Sequence, residues 1–246
     1  MNSHKFYYTI SIYSFISLFY FFLSFLFPVA AHFKTKFTAE MVRKGYNIKL
    51  KCDAFGDKPI AITWTRDKQK IDAFAAGRTI GSSSSSLSSM NLDTRYELTE
   101  SITSKGVLSE ILIKRADRRD SSLFTCLASN AFGYDDTNIQ LIVQEPPDPP
   151  QDVHLVEITS RSAKLSWSPP YSGNSPIIFY YIQYRSGTSN SGISNSDQST
   201  KWSSIMNITI PSGETLGQIV GLKPATLYYF KVIAENHIGK SEPSRY

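Results

Sequence analysis

The residues whose types could support chemistry are two cysteines, four histidines and one sequon for N-linked glycosylation. Cys52 and Cys126 are too far apart in sequence for the close cysteine pairs of a zinc site, so they predict one disulfide. Asn207-Ile208-Thr209 makes Asn207 a candidate glycan site, with an ordinary strand residue as the alternative. The histidines are scattered, without the spacing of a metal site or a catalytic motif: His4, His32, His154 and His237. The chain is therefore predicted to be no enzyme, with no cofactor, no metal site and no small-molecule substrate.

Length and composition favour two β-domains. The chain has 246 residues, which suits two domains of about 100 residues each plus extra segments. A hydrophobic share of 41% supports packed cores, and 14 Tyr and 15 Phe favour strands over helices. The net charge of +5 is spread among interspersed acidic and basic residues, which indicates a solvated surface and no nucleic-acid partner. Binding to an acidic partner or a negatively charged polysaccharide is the alternative.

The first 31 residues form an apolar leader. Lys5 precedes an apolar run from Phe6 to Phe27, and Val29 and Ala31 are small residues spaced as at a cleavage site. This pattern predicts a secretory signal peptide. A run of about 20 apolar residues is also long enough for an uncleaved signal anchor. Either interpretation places the downstream domains outside the cytosol, where a disulfide persists.

Residues 33–145 carry the pattern of two β-sheets joined by one disulfide. Alternating apolar residues mark a half-buried strand around the first cysteine: Ile48, Leu50, Cys52 and Ala54. Three apolar residues then share one face of the next predicted strand: Ile60, Ile62 and Trp64. Cys126 lies late in a further strand. The order Cys, Trp, Cys is typical of an immunoglobulin-like β-sandwich, here of the I-set type, in which the Trp packs on the disulfide.

Further residues are predicted to support the base of this sandwich. Asp120 and Arg95 are expected to form the salt bridge common in this fold, which is a structural pair. Phe124 occupies the position of a tyrosine whose hydroxyl bonds to the corner turn, so that bond is lost at a cost of about 1 kcal/mol while ring packing remains.

The serine-rich stretch Gly81–Ser89 predicts a flexible loop, with a glycosylated or recognition loop as the alternative.

A proline-rich linker at residues 146–150 marks the boundary between the two predicted domains. Its prolines cannot continue a central strand and favour stiff, extended geometry. The second domain, residues 151–246, has alternating apolar residues that end in Trp167, followed by a strand with Tyr180, Ile182 and Tyr184 on one face.

The end of the second domain is specific. Leu222-Lys223-Pro224-Ala225-Thr226-Leu227-Tyr228 leads into its sixth predicted strand. Together with Trp167, this motif marks a fibronectin type III module, in which Trp167 and Tyr228 anchor the core without a disulfide. The chain stops at Tyr246, where the seventh strand is expected to start. The module is therefore expected to be incomplete and the chain to be a fragment of a longer polypeptide.

Several segments of both predicted domains resemble one family of receptors. They are Val42–Gly45, Gly56–Ile60, Asp120–Cys126, Asn130–Asp136, Ile142–Glu145, Ser162–Trp167 and Tyr171–Pro176. These segments resemble the junction of the last N-terminal immunoglobulin domain and the first type III domain in the Down syndrome cell adhesion molecule (Dscam) family. The resemblance covers about residues 28 to 246, and Phe124 in place of Tyr fits it. The serine-rich insertion departs from the family pattern.

The resemblance implies a single-pass neuronal receptor for homophilic adhesion, axon guidance and dendritic self-avoidance. Its partners would be other cell-surface proteins, mainly copies of itself. Homophilic contact in the family lies mainly in domains nearer the N-terminus, so this piece is expected to be a structural spacer. Other immunoglobulin domains precede this one in the family. Residues 1–27 therefore gain a third interpretation, as translated non-coding sequence in an incomplete gene model.

Two other functions remain open at this point. A receptor tyrosine phosphatase or another receptor enzyme carries the same modules in its ectodomain, and a cytoplasmic catalytic domain in the full-length transcript would favour that alternative. An intracellular structural array of the muscle type would need neither a disulfide nor a glycan. Free thiols at Cys52 and Cys126 would favour the array.

Overall fold

The computed structural model describes residues 28–71, 95–187 and 206–245. Within these ranges the regular structure consists of fourteen β-strands and one short 3-10 helix, which confirms the predicted all-β class. The leader up to residue 27 and the serine-rich stretch at 81–89 lie outside the described residues.

Eight of the described strands form the first sandwich. They are β1 Phe37–Arg43, β2 Ile48–Phe55, β3 Ala61–Arg66, β4 Gln69–Lys70, β5 Tyr96–Ile102, β6 Gly106–Ile113, β7 Leu123–Asn130 and β8 Gly133–Gln144. One sheet has three strands in the order β2-β6-β5, and the other has five in the order β1-β8-β7-β3-β4. The predicted strands around Cys52, Trp64 and Cys126 are therefore β2, β3 and β7.

The disulfide joins one strand of each sheet. Cys52 in β2 and Cys126 in β7 are bonded, with their Cα atoms 6.3 Å apart, and both side chains are fully buried. The alternation in the sequence sets this placement, because every second residue of a strand points to the same face. Leu50 and Ala54 flank Cys52 on the buried face of β2, as expected from their spacing.

A short 3-10 helix, Arg118–Asp120, lies between β6 and β7, in a stretch whose sequence suggests only a turn. Asp117 caps this helix, and the Asp117 N–H in return donates to Oδ2 of Asp120 at 2.7 Å. This reciprocal arrangement satisfies two backbone donors that a helix start leaves unpaired. The corner before β7 is thus closed without a tyrosine hydroxyl.

The other six described strands form the second sandwich. They are β9 Gln151–Ile158, β10 Ser162–Ser168, β11 Ile177–Ser186, β12 Met206–Pro211, β13 Leu216–Val220 and β14 Tyr228–Asn236. They make two three-stranded sheets, in the orders β13-β10-β9 and β12-β11-β14. The predicted inward residues of β11 are buried: Tyr180, Ile182 and Tyr184. Residues 241–244 run beside β14, where the N–H of Ser241 donates to the carbonyl of Ala234 at 2.8 Å.

Aromatic side chains organise the second core. Trp167 is buried in β10, and its ring centroid lies 5.4 Å from that of Tyr180. The hydroxyl of Tyr228 accepts a hydrogen bond from the N–H of Lys223 at 2.9 Å, which closes the turn before β14. Tyr228 therefore forms the corner bond that Phe124 cannot make in the first sandwich.

The described residues group into two compact units. One contains residues 28–40, 48–114 and 122–140 in their described parts, and the other contains 41–47, 115–121 and 141–245 in theirs. No helix in the described ranges is long and apolar enough to cross a membrane.

Replacing Cys126 with serine is expected to prevent secretion or to lower the stability of the first sandwich severely. The disulfide closes a loop with a sequence separation of 74 residues. On the chain-entropy model, closing a loop of that length constrains the unfolded chain by roughly 4 kcal/mol, a large fraction of a domain's stability. Thermal melting and the secreted yield of Cys126→Ser measure the loss.

Cys52→Ser serves as the matched control, because it breaks the same bond from the other sheet. The double variant should lose about as much stability as either single variant, since only one bond exists to remove. A single variant with wild-type melting temperature and yield would contradict the role of the disulfide.

Candidate functional site: the disulfide clamp and the linker cluster

Trp64 is placed directly beside the disulfide. It is the cross-strand partner of Cys126 in the β3–β7 pair and is buried. Its indole N–H donates to Oγ of Ser109 at 2.9 Å, and Ser109 is the cross-strand partner of Cys52. A buried indole N–H needs such a partner. Ser109 was missed by the sequence analysis, although a serine at an inward position of an otherwise apolar strand is the signal that could have identified it.

Phe124 is fully buried and lies next to Arg66. The guanidinium carbon of Arg66 is 6.0 Å from the centroid of the Phe124 ring. Nη1 of Arg66 donates a hydrogen bond to the hydroxyl of Tyr96 at 3.0 Å. Arg66 Nε also donates to Oγ of Ser122 at 3.1 Å. A cation over a ring face is attractive. This packing keeps the Phe124 ring in place although the tyrosine hydroxyl is missing.

Asp120 is almost completely buried at the end of the 3-10 helix, just before β7. Its relative exposure is 1%, and its carboxylate accepts the Asp117 N–H described above. Burying a carboxylate requires hydrogen bonds or an opposite charge. The salt bridge with Arg95 stays a prediction.

Five residues around the linker form what we call the linker cluster: Lys44, Arg118, Glu145, Asp148 and Tyr171. Arg118 Nη1 and Nη2 donate to the two carboxylate oxygens of Asp148 at 3.0 and 2.6 Å, and its Nε bonds Glu145. Lys44 Nζ lies 2.6 Å from the second oxygen of Glu145. The guanidinium carbon is 4.2 Å from the centroid of the Tyr171 ring. One arginine therefore connects two carboxylates and an aromatic ring.

The electrostatics of the linker cluster follow from this geometry. The Glu145 side chain is only 4% exposed, so two cations offset the cost of burying its charge. The hydrogen bonds to Asp148 raise the pKa of Arg118 above its ordinary value, and the same bonds lower the pKa of Asp148. Burial raises the pKa of Tyr171. A two-pronged arginine–carboxylate pair is stronger and more directional than a single contact.

Backbone hydrogen bonds hold the linker as well. The Glu145 N–H donates to the carbonyl of Gly173 at 2.9 Å, and the Asp148 N–H donates to that of Tyr171 at 3.0 Å. Asn236 is buried, and its Nδ2 donates to the carbonyls of Glu145 and Ser172 at 2.8 Å each. Its Oδ1 accepts from the N–H groups of residues 238 and 239. A single buried amide thus joins the linker to two turns.

Asn174 adds a second amide contact. Its backbone is left-handed, with φ of +56°, a conformation that asparagine tolerates better than most residues. Its Nδ2 donates to the carbonyl of Val143 at 2.9 Å and to Oγ of Ser121 at 3.3 Å, while its own carbonyl accepts from Gln144. The end of β8 is therefore bonded to the turn before β11.

The linker cluster was not identified from the sequence. No spacing in the sequence connects Arg118 with Glu145 or Asp148. Asn236 lies in the run Ala234-Glu235-Asn236-His237-Ile238-Gly239 at the end of the sixth predicted strand, and an asparagine three residues before a glycine is the signal that could have pointed to it. The polar atoms described above are satisfied by other groups of the chain, so the cluster is suited to holding the linker.

Asn207 lies elsewhere, on β12. It is exposed, and its cross-strand partner is Gln183 of β11. Thr209 of the sequon is also exposed. The sequon therefore meets the accessibility that glycosylation requires. Across the described residues, no three His, Cys, Asp or Glu side chains converge as ligands for a metal ion.

Comparison with known families defines the class of protein. Residues 31–143 match the immunoglobulin I-set domain, and residues 148–246 match the fibronectin type III domain. The chain is thus an immunoglobulin-type sandwich followed by a type III sandwich. Among solved structures, titin domains A168-A170 match with a TM-score of 0.44 and 23% identity over 89% of this chain and 64% of that chain.

Curated relatives define the family. Cell adhesion molecule Dscam1 of Drosophila melanogaster is 37% identical over 212 residues, which cover 86% of this chain and 9% of that protein. Human cell adhesion molecule DSCAML1 is 34% identical over 82% of this chain and 8% of its own length, and human DSCAM is 30% identical over 83% and 9%. The chain belongs to the Dscam family. It spans less than a tenth of the length of these relatives.

Replacing Asp148 with asparagine is expected to lower the free energy of unfolding at neutral pH by about 1 kcal/mol, since both members of the pair with Arg118 are partly exposed. The pKa of Asp148 is lower in the folded chain than its ordinary value of 3.8. Its contribution is therefore complete above pH 3.8 and is lost as the pH falls through the folded pKa. Denaturant unfolding of both proteins between neutral and acid pH should show the two curves converging.

Arg118→Lys and Arg119→Lys form a matched pair of controls. The first keeps the charge but loses the two-pronged geometry, and should reproduce most of the loss. Arg119 has a side chain that is 80% exposed, and its replacement should change stability by no more than about 0.5 kcal/mol. Equal losses for the two variants would show that the linker cluster adds no specific stability.

Replacing Gly173 with alanine is expected to release the linker. The φ of Gly173 is +72°, and a Cβ there would lie 2.0 Å from the carbonyl oxygen of Glu145. The clash and the left-handed backbone together should cost more than about 2 kcal/mol and break the Glu145 N–H bond. Hydrogen exchange at that N–H and the unfolding free energy measure the effect.

Gly213→Ala is the matched control, because a Cβ at Gly213 would meet no atom within 4 Å. That variant should keep wild-type stability and wild-type protection at Glu145. Unchanged hydrogen exchange in Gly173→Ala would contradict the role of the turn.

Proposed function

We propose that this chain is an ectodomain piece of a neuronal cell-surface adhesion receptor that mediates homophilic adhesion, axon guidance and dendrite self-avoidance. The proposal is supported by curated relatives that are named as cell adhesion molecules and that match most of the chain. The adhesive activity belongs to the longer protein, of which the chain would form the last N-terminal immunoglobulin domain and the first type III domain.

Within the receptor, we infer that this piece acts as a structural spacer. The observation that carries the inference is the linker cluster, in which Glu145 and Asp148 are bound by side chains and backbone from both ends of the linker. Prolines already limit the conformations of the segment. Such contacts limit the conformations of the linker, as the proposed spacer role requires.

The proposed location is the extracellular face of the plasma membrane. The bonded cysteines suit an oxidising compartment, and the exposed sequon suits passage through the secretory pathway. The expected partners are cell-surface proteins, primarily a second copy of the receptor.

A cell-aggregation assay tests the proposal. Two populations of non-adhesive cells, each with a different dye, express the full-length protein that contains this segment. Homophilic adhesion predicts mixed aggregates of expressing cells that exclude non-expressing cells. Dispersed cells with normal surface expression would refute homophilic adhesion.

The spacer role needs a second arm of the same assay. Replacing residues 33–246 with an unrelated immunoglobulin–type III pair of similar length should leave aggregation intact. Loss of aggregation at equal surface expression would show that the segment itself contributes a binding surface.

A further inference from the structure

The edge strands of the described sheets differ in charge. An edge strand exposes unpaired N–H and C=O groups and can pair with another chain, and charged side chains are a common protection against this. Each of β1, β2, β4, β5 and β9 lies at the end of a described sheet and carries at least one Lys, Arg, Asp or Glu, whereas β14 is bonded along its outer side to residues 241–244. The other two, β12 and β13, carry none within their bounds.

These two uncharged strands lie close together. They belong to different sheets of the second sandwich, and a Cβ built on Gly217 of β13 would lie 3.2 Å from Cδ1 of Ile210 of β12. Large apolar side chains are exposed on both strands: Met206 is 53% exposed on β12 and Val220 is 67% exposed on β13. Within the described residues, these two edge strands therefore combine exposed apolar side chains with the absence of a charged side chain of their own, which are features that promote strand-to-strand association.

The sequon lies within this uncharged edge. Asn207 is the second residue of β12, and Asn207 and Thr209 are both exposed. Their cross-strand partners on β11 are Gln183 and Tyr181, so both side chains lie on the outward face of the sheet. An N-linked glycan is bulky and strongly hydrated. Attached at Asn207, it would occupy the space through which another strand must approach to about 4.8 Å from β12.

We propose that Asn207 carries an N-linked glycan that protects the β12–β13 edge from pairing with other chains. The glycan takes the place of the charged residues that protect the other edges. The inference rests on the extracellular location proposed above, because glycosylation requires the secretory pathway. The glycan would thereby keep the receptor segment free of unwanted edge contacts.

Four variants test the inference in the full chain, expressed in the secretory pathway of animal cells. Asn207→Gln and Thr209→Ala remove the sequon, whereas Thr209→Ser preserves it. Asn207→Lys removes the glycan but places a charge on the edge. Glycosidase-sensitive mass reports the glycan, and sedimentation velocity over a concentration series reports association.

The expected pattern separates the glycan from the side chain. Wild type and Thr209→Ser should carry the glycan and remain monomeric. Asn207→Gln and Thr209→Ala should begin to associate at a concentration that is lower than the one wild type requires by on the order of tenfold, or they should be retained in the cell as aggregates. Asn207→Lys should be secreted as a monomer without a glycan.

Three results would overturn the inference: a wild-type chain without a glycan, an Asn207→Gln variant that stays monomeric at every concentration at which wild type does, or an Asn207→Lys variant that associates like Asn207→Gln. None of these results bears on adhesion by the full-length receptor, which the cell-aggregation assay measures separately.

Discussion

Burial of the Glu145 carboxylate is the constraint on which the linker region depends. A charge that is only 4% exposed must be paired, and Lys44 and Arg118 supply the opposite charges. Arg118 in turn binds Asp148 and lies over Tyr171, so the buried carboxylate just before the linker is connected to a residue within it. Removing one partner of such a group would leave a buried charge uncompensated.

The two sandwiches solve the same packing problem in different ways. In the first, a disulfide links the sheets and Trp64 lies beside it, with its N–H bonded to Ser109. In the second, Trp167 packs on Tyr180, and the hydroxyl of Tyr228 closes the turn before β14. The first sandwich lacks the tyrosine corner. Its Phe124 ring lies next to Arg66, and a capped 3-10 helix forms the corner before β7.

The geometry and the family assignment agree on the kind of function. Arg118, Asn174 and Asn236 all bind groups of the chain itself, and these contacts hold backbone in place. The relatives of the chain are adhesion molecules many times its length. Both observations are compatible with the proposed spacer role, and the proposed glycan at Asn207 would keep such a segment free of unwanted contacts.

The fold class and the inward faces of the strands follow from local patterns in the sequence. Alternation of apolar residues around Cys52 and along Tyr180–Tyr184 is a local property, because side chains of a strand alternate between two faces. The Cys, Trp, Cys order, which spans three strands, and the motif ending in Tyr228 identified the two modules, because each sets characteristic residues at fixed places in the strand order of its fold.

Contacts between residues far apart in sequence became visible in the folded chain alone. Ser109 pairs with Trp64, Arg118 with Glu145 and Asp148, and Asn236 with the linker carbonyl at a separation of 91 residues. No local pattern encodes such pairs, because they depend on how strands from different parts of the chain pack. The position of Asn207 on an uncharged edge likewise depends on the order of strands in the sheet, which alternation alone does not specify.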